Sequence, residues 1–231
     1  MTNRQEQLQQ ATYKQHWEEL YRILDSLTHS EFRRAEVALR NDILPNLSQE
    51  AFWQTYAQLL AYRPQSFITC ILALPAIMKR EPLNLDTVQA RAVTSMVSPL
   101  HARKIISMLL PSLTTPEQIA QFFLHFRFND EREQVRTLIQ TDTPAARFML
   151  FKTLKHIPEK RNLALNCCRH FIRKGNDQAL NMASILKAYF GLHEITVVLP
   201  LNIQPYELSY LDTNYDTFCY ALQGKQPKIR L

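Results

Sequence analysis

An all-α fold follows from three features of the chain: its missing glycines, the way its segments begin, and the period of its apolar residues. The first 174 residues contain no glycine, and the whole 231-residue chain has only Gly175, Gly191 and Gly224. Tight hairpin turns place residues at φ > 0, where glycine alone sits without strain, so a strand-rich reading lacks the turns it needs. The punctuation is instead Ser, Thr, Asp or Asn, several times followed by proline, as in Ser98-Pro99, Thr115-Pro116 and Thr143-Pro144. A side-chain oxygen that caps orphan N–H groups, with proline at the first helical position, is how a helix begins.

Apolar periodicity and cap signals together predict about ten helices. The first spans about Gln7 to Ser26, with Tyr13, Trp17, Leu20, Tyr21 and Leu24 on one stripe. Thr28-His-Ser-Glu31 has the form of a capping box and opens the second, which ends near Asn41. Ser48 opens the third, with Leu47 and Phe52 at the spacing of a hydrophobic staple. Pro64, the stretch Asp86-Thr-Val-Gln89, and Ser98-Pro99 begin the next three. Thr115-Pro-Glu-Gln118 is a second capping box, and Asn129-Asp130, Thr143-Pro144, Pro158 and Asn176 begin the rest. Gly175 and Gly191 follow Lys174 and Phe190 as C-terminal stops. After residue 191 the β-branched stretch 194–201 has room for one short edge strand pair, limited by Pro200. A further short helix is expected near 215–222, and residues 226–231 are expected to be loose.

From Pro64 onward, alternate helix starts recur every 28 to 34 residues. That is the length of one helix–turn–helix unit in a stack of helical hairpins. In architecture the chain resembles irregular HEAT-like α-solenoids, without the sequence signature of a repeat family. The tetratricopeptide pattern survives only as Trp17-Glu-Glu-Leu20, with Tyr21 where glycine belongs. The expected organisation is a helical-repeat domain over 1–191 and, over 192–231, a mostly irregular tail packed on it, its tyrosines turned inward.

The totals exclude several functional classes. The longest uncharged run, residues 64–78, is short of the roughly 20 residues of a membrane span and contains Pro75, so no membrane partner is expected. The N-terminal ten residues lack an apolar run, so a secretory leader is not expected either. Cys70, Cys167, Cys168 and Cys219 have no framework spacing, which suits reduced thiols and a cytoplasmic location. Cys167 and Cys168 share an apolar helix face with Ala164 and Phe171 and read as small core residues. No glycine-rich phosphate loop or nucleophile elbow is possible, and the seven histidines are scattered. The expectation is therefore a non-enzymatic protein with no cofactor and no metal.

Charge is the one segregated property. The net charge is +6, yet residues 1–144 carry 15 basic and 15 acidic side chains, and residues 176–231 carry 4 and 5. Residues 145–175 hold eight cations against Glu159 alone. Such a block reads as an anion-facing surface. The candidate binding residues are Lys152, Lys155, Lys160, Arg161, Asn162, Asn166, Arg169 and Arg173, centred on Arg169 and Arg173, one helical turn apart. An acidic protein is the expected partner, with nucleic acid, held through phosphate contacts, as the alternative. Nothing in the sequence sets an oligomeric state.

Overall fold

A computed structural model of the chain describes residues 2–157, 160–203 and 207–225, and among these it contains helices and no strand. The chain divides into two compact units, residues 1–112 with 121–128, and residues 113–120 with 129–231. Residues 192–225 thus belong to the second unit.

The first unit opens with α1 (Thr2–Tyr13) and α2 (Trp17–Asp25), where one helix was expected. The break lies at Gln15, whose φ is +55°. His16 N–H donates to Ala11 O at 2.9 Å and Gln15 N–H to Thr12 O at 3.1 Å, the bond pair that closes a helix around a left-handed residue. Trp17 consequently starts a helix and stays half-buried. The capping box before α3 (His29–Ala38) is present: Thr28 Oγ1 accepts from Glu31 N–H, and Glu31 accepts from Thr28 N–H at 2.9 Å. The path continues as a π turn (Leu39–Ile43) and a 3-10 turn (Leu44–Asn46), then α4 (Gln49–Tyr62), capped by Ser48.

The stretch from Pro64 is three pieces, α5 (Pro64–Phe67), a 3-10 segment (Ile68–Ala73) and α6 (Leu74–Met78). Pro75 has no N–H to continue the ladder, and α6 restarts with it in the first turn. The 3-10 segment is mostly buried (Ile68, Cys70, Ile71 and Ala73), while α5 buries Phe67 and α6 buries Leu74 and Ile77. The loop that follows is tied to the start of α4. Buried Gln49 donates from Nε2 to Pro82 O at 2.8 Å and accepts from Asn84 N–H at 2.5 Å, while Arg80 donates to Leu47 O at 2.8 Å. That loop returns the chain to α7 (Val88–Met96), capped by Thr87, which packs on α4, and to α8 (Pro99–Leu109), which ends in a 3-10 turn. Phe52, Trp53, Tyr56, Phe67 and Ile71 form the core of this unit. Buried Tyr56 satisfies its hydroxyl by donating to Ile68 O at 3.1 Å.

The division runs through α9 (Pro116–His125). The second unit continues with α10 (Glu131–Thr141), α11 (Pro144–His156), α12 (Lys160–Lys174) and α13 (Asp177–Phe190), each packed on the next. Asp130, Thr143 and Asn176 supply caps where the sequence places them, and the expected start at Pro158 lies outside the described residues. The stretch 194–201 forms no strand and is irregular. Short α14 (Leu208–Leu211) and α15 (Tyr215–Leu222) complete the chain. Phe218 is fully buried against Phe148 and Phe151, with ring centroids 5.2 and 6.0 Å away, which seats α15 on α11. Tyr215 is half-buried with its ring 5.4 Å from that of Phe148, whereas Tyr210 and Tyr220 are exposed; Tyr206 and residues 226–231 lie outside the described residues.

Candidate functional site

The basic block occupies α11 and α12, and four of its eight cations have counter-ions within the second unit among the described residues. Arg147 stands on the first turn of α11 with its side chain 3% exposed. Its Nε donates to Asp142 Oδ1 at 2.6 Å, and its guanidinium carbon lies 5.5 Å from the Phe171 ring centroid. Lys174, in the last turn of α12, donates to the other oxygen of the same carboxylate. Burial raises the Asp142 pKa, but hydrogen bonds and charge from Arg147 and Lys174 outweigh it and hold the carboxyl below its ordinary value. One Arg147 nitrogen, Nη1, is buried without a partner among the described residues.

Two of the candidate residues are similarly committed. Lys155 pairs with Asp212, and its ammonium also lies 5.4 Å from the Tyr189 ring centroid. Arg161 makes four hydrogen bonds: to Phe190 O at 3.0 Å, to Gly191 O at 2.7 Å, and to both Glu194 oxygens at 2.8 and 2.9 Å. The guanidinium thereby satisfies carbonyls left open at the C-terminus of α13, where a cation also favours the helix dipole. Lys152 is exposed and lies over Phe148 at 5.4 Å.

The remaining five, Lys160, Asn162, Asn166, Arg169 and Arg173, are exposed, and none of their side chains has a hydrogen-bond or ion-pair partner among the described residues. Helical geometry places Asn162, Asn166, Arg169 and Arg173 within about a 60° arc of α12, with Lys160 on the other side. The opposite face carries Ala164, Cys167, Cys168 and Phe171, all buried, so α12 presents this stripe outward by necessity. Two guanidiniums one turn apart, flanked by amides, offer forked donors to carboxylates or phosphates. Exposed His170 borders the stripe, and among the described residues no group of His, Cys, Asp and Glu has the geometry of a metal site.

The chain matches no protein-family model, no curated protein and no solved structure.

Sequence reasoning missed the partners of the block. Asp142, Glu194 and Asp212 lie outside residues 145–175, and nothing in their local pattern marks them as counter-ions. It also missed a groove in the first unit, a cavity of about 420 Å³ between α1, α2 and α3. The groove is lined by Ile23 of α2, Leu27 of the loop after it, and Ala35 and Ala38 of α3, none of which the sequence reading singled out.

Proposed function

We propose that this is a non-enzymatic helical interaction protein whose α12 stripe, centred on Arg169 and Arg173, binds an acidic protein partner. The observation that carries the reading is the contrast within one charged block. Arg147, Lys155, Arg161 and Lys174 have counter-ions, while Arg169 and Arg173 are exposed and have none among the described residues. Exposed, unpaired arginines contribute little to folding, so their placement is better explained by what they meet from outside. The consecutive packing of α10, α11, α12 and α13 supports the finer architecture in this reading, a stack of antiparallel hairpins like an irregular HEAT array. A cytoplasmic setting belongs to the same reading, supported by four unpaired cysteines.

The pairing pattern favours a protein over a nucleic acid. Phosphate recognition of duplex DNA draws on many cations, and four in this block, Lys152, Lys160, Arg169 and Arg173, are exposed without a counter-ion among the described residues. Fluorescence anisotropy of a glutamate-rich peptide and of a duplex DNA oligonucleotide, each at two salt concentrations, tests both. Arg169→Ser/Arg173→Ser is expected to leave the melting temperature nearly unchanged and to abolish peptide binding. Tighter binding of the DNA, with a log–log salt slope that becomes shallower by about one to two in the double variant, would transfer the site to nucleic acid. Unchanged peptide binding in the double variant removes the site altogether.

A further inference from the structure

The first unit holds a groove formed by its first three helices and the loop between the second and third. Its walls are α1, α2 and α3, and its floor is Leu8, Ile23, Leu27, Ala35 and Ala38. Leu8 and Ala35 are buried, and Ile23, Leu27 and Ala38 are half-buried, so the apolar floor remains open to a ligand. The volume of about 420 Å³ lies within the usual range of about 300–1,000 Å³ for small-molecule sites. The alanines matter here because a larger side chain on that stripe of α3 would fill the space.

The rim carries charge of one available sign. Glu31 is its only carboxylate among the described residues, and both of its oxygens are engaged. One accepts from Arg4 at 3.1 Å, and the other accepts from the N–H and hydroxyl of Thr28 in the capping box at 2.9 and 2.8 Å. Arg34, one turn along α3, is exposed; its side chain makes no hydrogen bond or close ion pair among the described residues and acts on Glu31 through its charge alone. The groove therefore combines an apolar floor with an exposed guanidinium at its edge and a single carboxylate among its described lining residues, which is paired with Arg4.

We propose that the groove between α1, α2 and α3 binds a single-chain alkyl carboxylate, its chain on the Leu8–Ile23–Leu27–Ala35–Ala38 floor and its head on Arg34. A guanidinium pairs with a planar carboxylate through two parallel N–H···O bonds, which gives the site a preference for head group as well as for chain. The alkyl chain supplies the affinity by leaving water.

Isothermal titration calorimetry of the full chain with decanoate, and with decyltrimethylammonium as the same chain bearing the opposite charge, provides the test. Decanoate is expected to saturate at one site below its micellar concentration and to bind at least about tenfold more tightly than the ammonium analogue. Arg34→Glu is expected to reverse that preference, and Ala38→Trp to abolish binding of both, with circular dichroism confirming that each variant is folded. Should Arg34→Glu not fold, Arg34→Gln serves in its place and is expected to equalise the two head groups. Equal affinity for both heads in the natural protein, unaltered decanoate binding in folded Ala38→Trp, or no saturable binding overturns the proposal. Sedimentation with oleate-containing phosphatidylcholine vesicles, without binding of monomeric decanoate, overturns it in favour of a membrane surface.

Discussion

Asp142 does two jobs that oppose each other. It ends α10 at φ +55°, a left-handed position that Asp tolerates better than most residues, and its carboxylate sits between Arg147 and Lys174. The side chain is only 10% exposed, so the pair with Arg147 is substantially desolvated. Removing one partner of a buried pair leaves the other uncompensated, at a cost near 3 kcal/mol. Asp142→Asn tolerates the same backbone and removes the charge alone, so it is expected to destabilise the chain by about 3 kcal/mol in urea unfolding. The pH dependence follows from the depressed carboxyl. Its contribution is fully present above the ordinary Asp value of 3.8 and is lost as pH falls through the lower folded value. The natural protein should therefore lose stability below about pH 4 more steeply than Asp142→Asn. Parallel acid limbs for the two proteins would place the stabilisation elsewhere.

At the scale of the element, helix ends show how a glycine-poor chain stops its helices. Gly191 follows α13 at φ +57° and its neighbour Leu192 donates back to Lys187 O at 3.0 Å, the expected closing arrangement. Arg127 makes the same closure after α9 without being glycine. At φ +51° its N–H donates to Leu124 O at 3.1 Å, Phe128 N–H donates to Phe123 O at 2.8 Å, and the Phe123 and Phe128 rings stack at 5.3 Å. The aromatic contact across the motif holds the backbone in a conformation that costs an L-residue roughly 1–2 kcal/mol. The Arg127 side chain is exposed and has no hydrogen-bond or ion-pair partner among the described residues. Arg127→Gly is accordingly expected to stabilise the protein by about 1 kcal/mol, seen as a higher denaturant midpoint at unchanged m-value. A lower midpoint would mean that Arg127 holds a contact in solution. The same chemistry explains the overlong first helix in the sequence reading. Gln15 terminates α1 from the left-handed region, and glutamine there carries no signal that local composition can reveal.

Across the whole molecule the four thiols report on both units at once. Burial pushes Cys70 and Cys167 up to about 12 and Cys168 to about 11, and it raises Cys219 less strongly. Thiolate is the reactive species, so the first three are expected to be inert to maleimide at neutral pH while the protein is folded. Cys219, half-buried on α15, should label first, and all four should label in denaturant. Prompt native labelling of Cys70 would show that the α4–α6 core opens readily.

What the sequence determined by itself is what is local along the chain. Thr28, Ser48, Ser98, Asp130, Thr143 and Asn176 each cap the N–H groups of residues two or three positions ahead, so residue type and spacing suffice to place helix starts. Gly175 and Gly191 mark ends for the same reason. Tertiary structure decided what the charges and faces meet. Arg161 finds Glu194 across 33 residues and Lys174 finds Asp142 across 32, and no periodicity records such a pairing. Of the eight cations that the sequence groups together, folding pairs four and leaves Lys152, Lys160, Arg169 and Arg173 exposed without a counter-ion among the described residues. The groove arises likewise, because apolar stripes on three helices define a core or a cavity only once packing sets how closely they approach. Capping is an interaction over one turn of chain, whereas charge compensation and concavity are properties of surfaces that the chain assembles from distant segments.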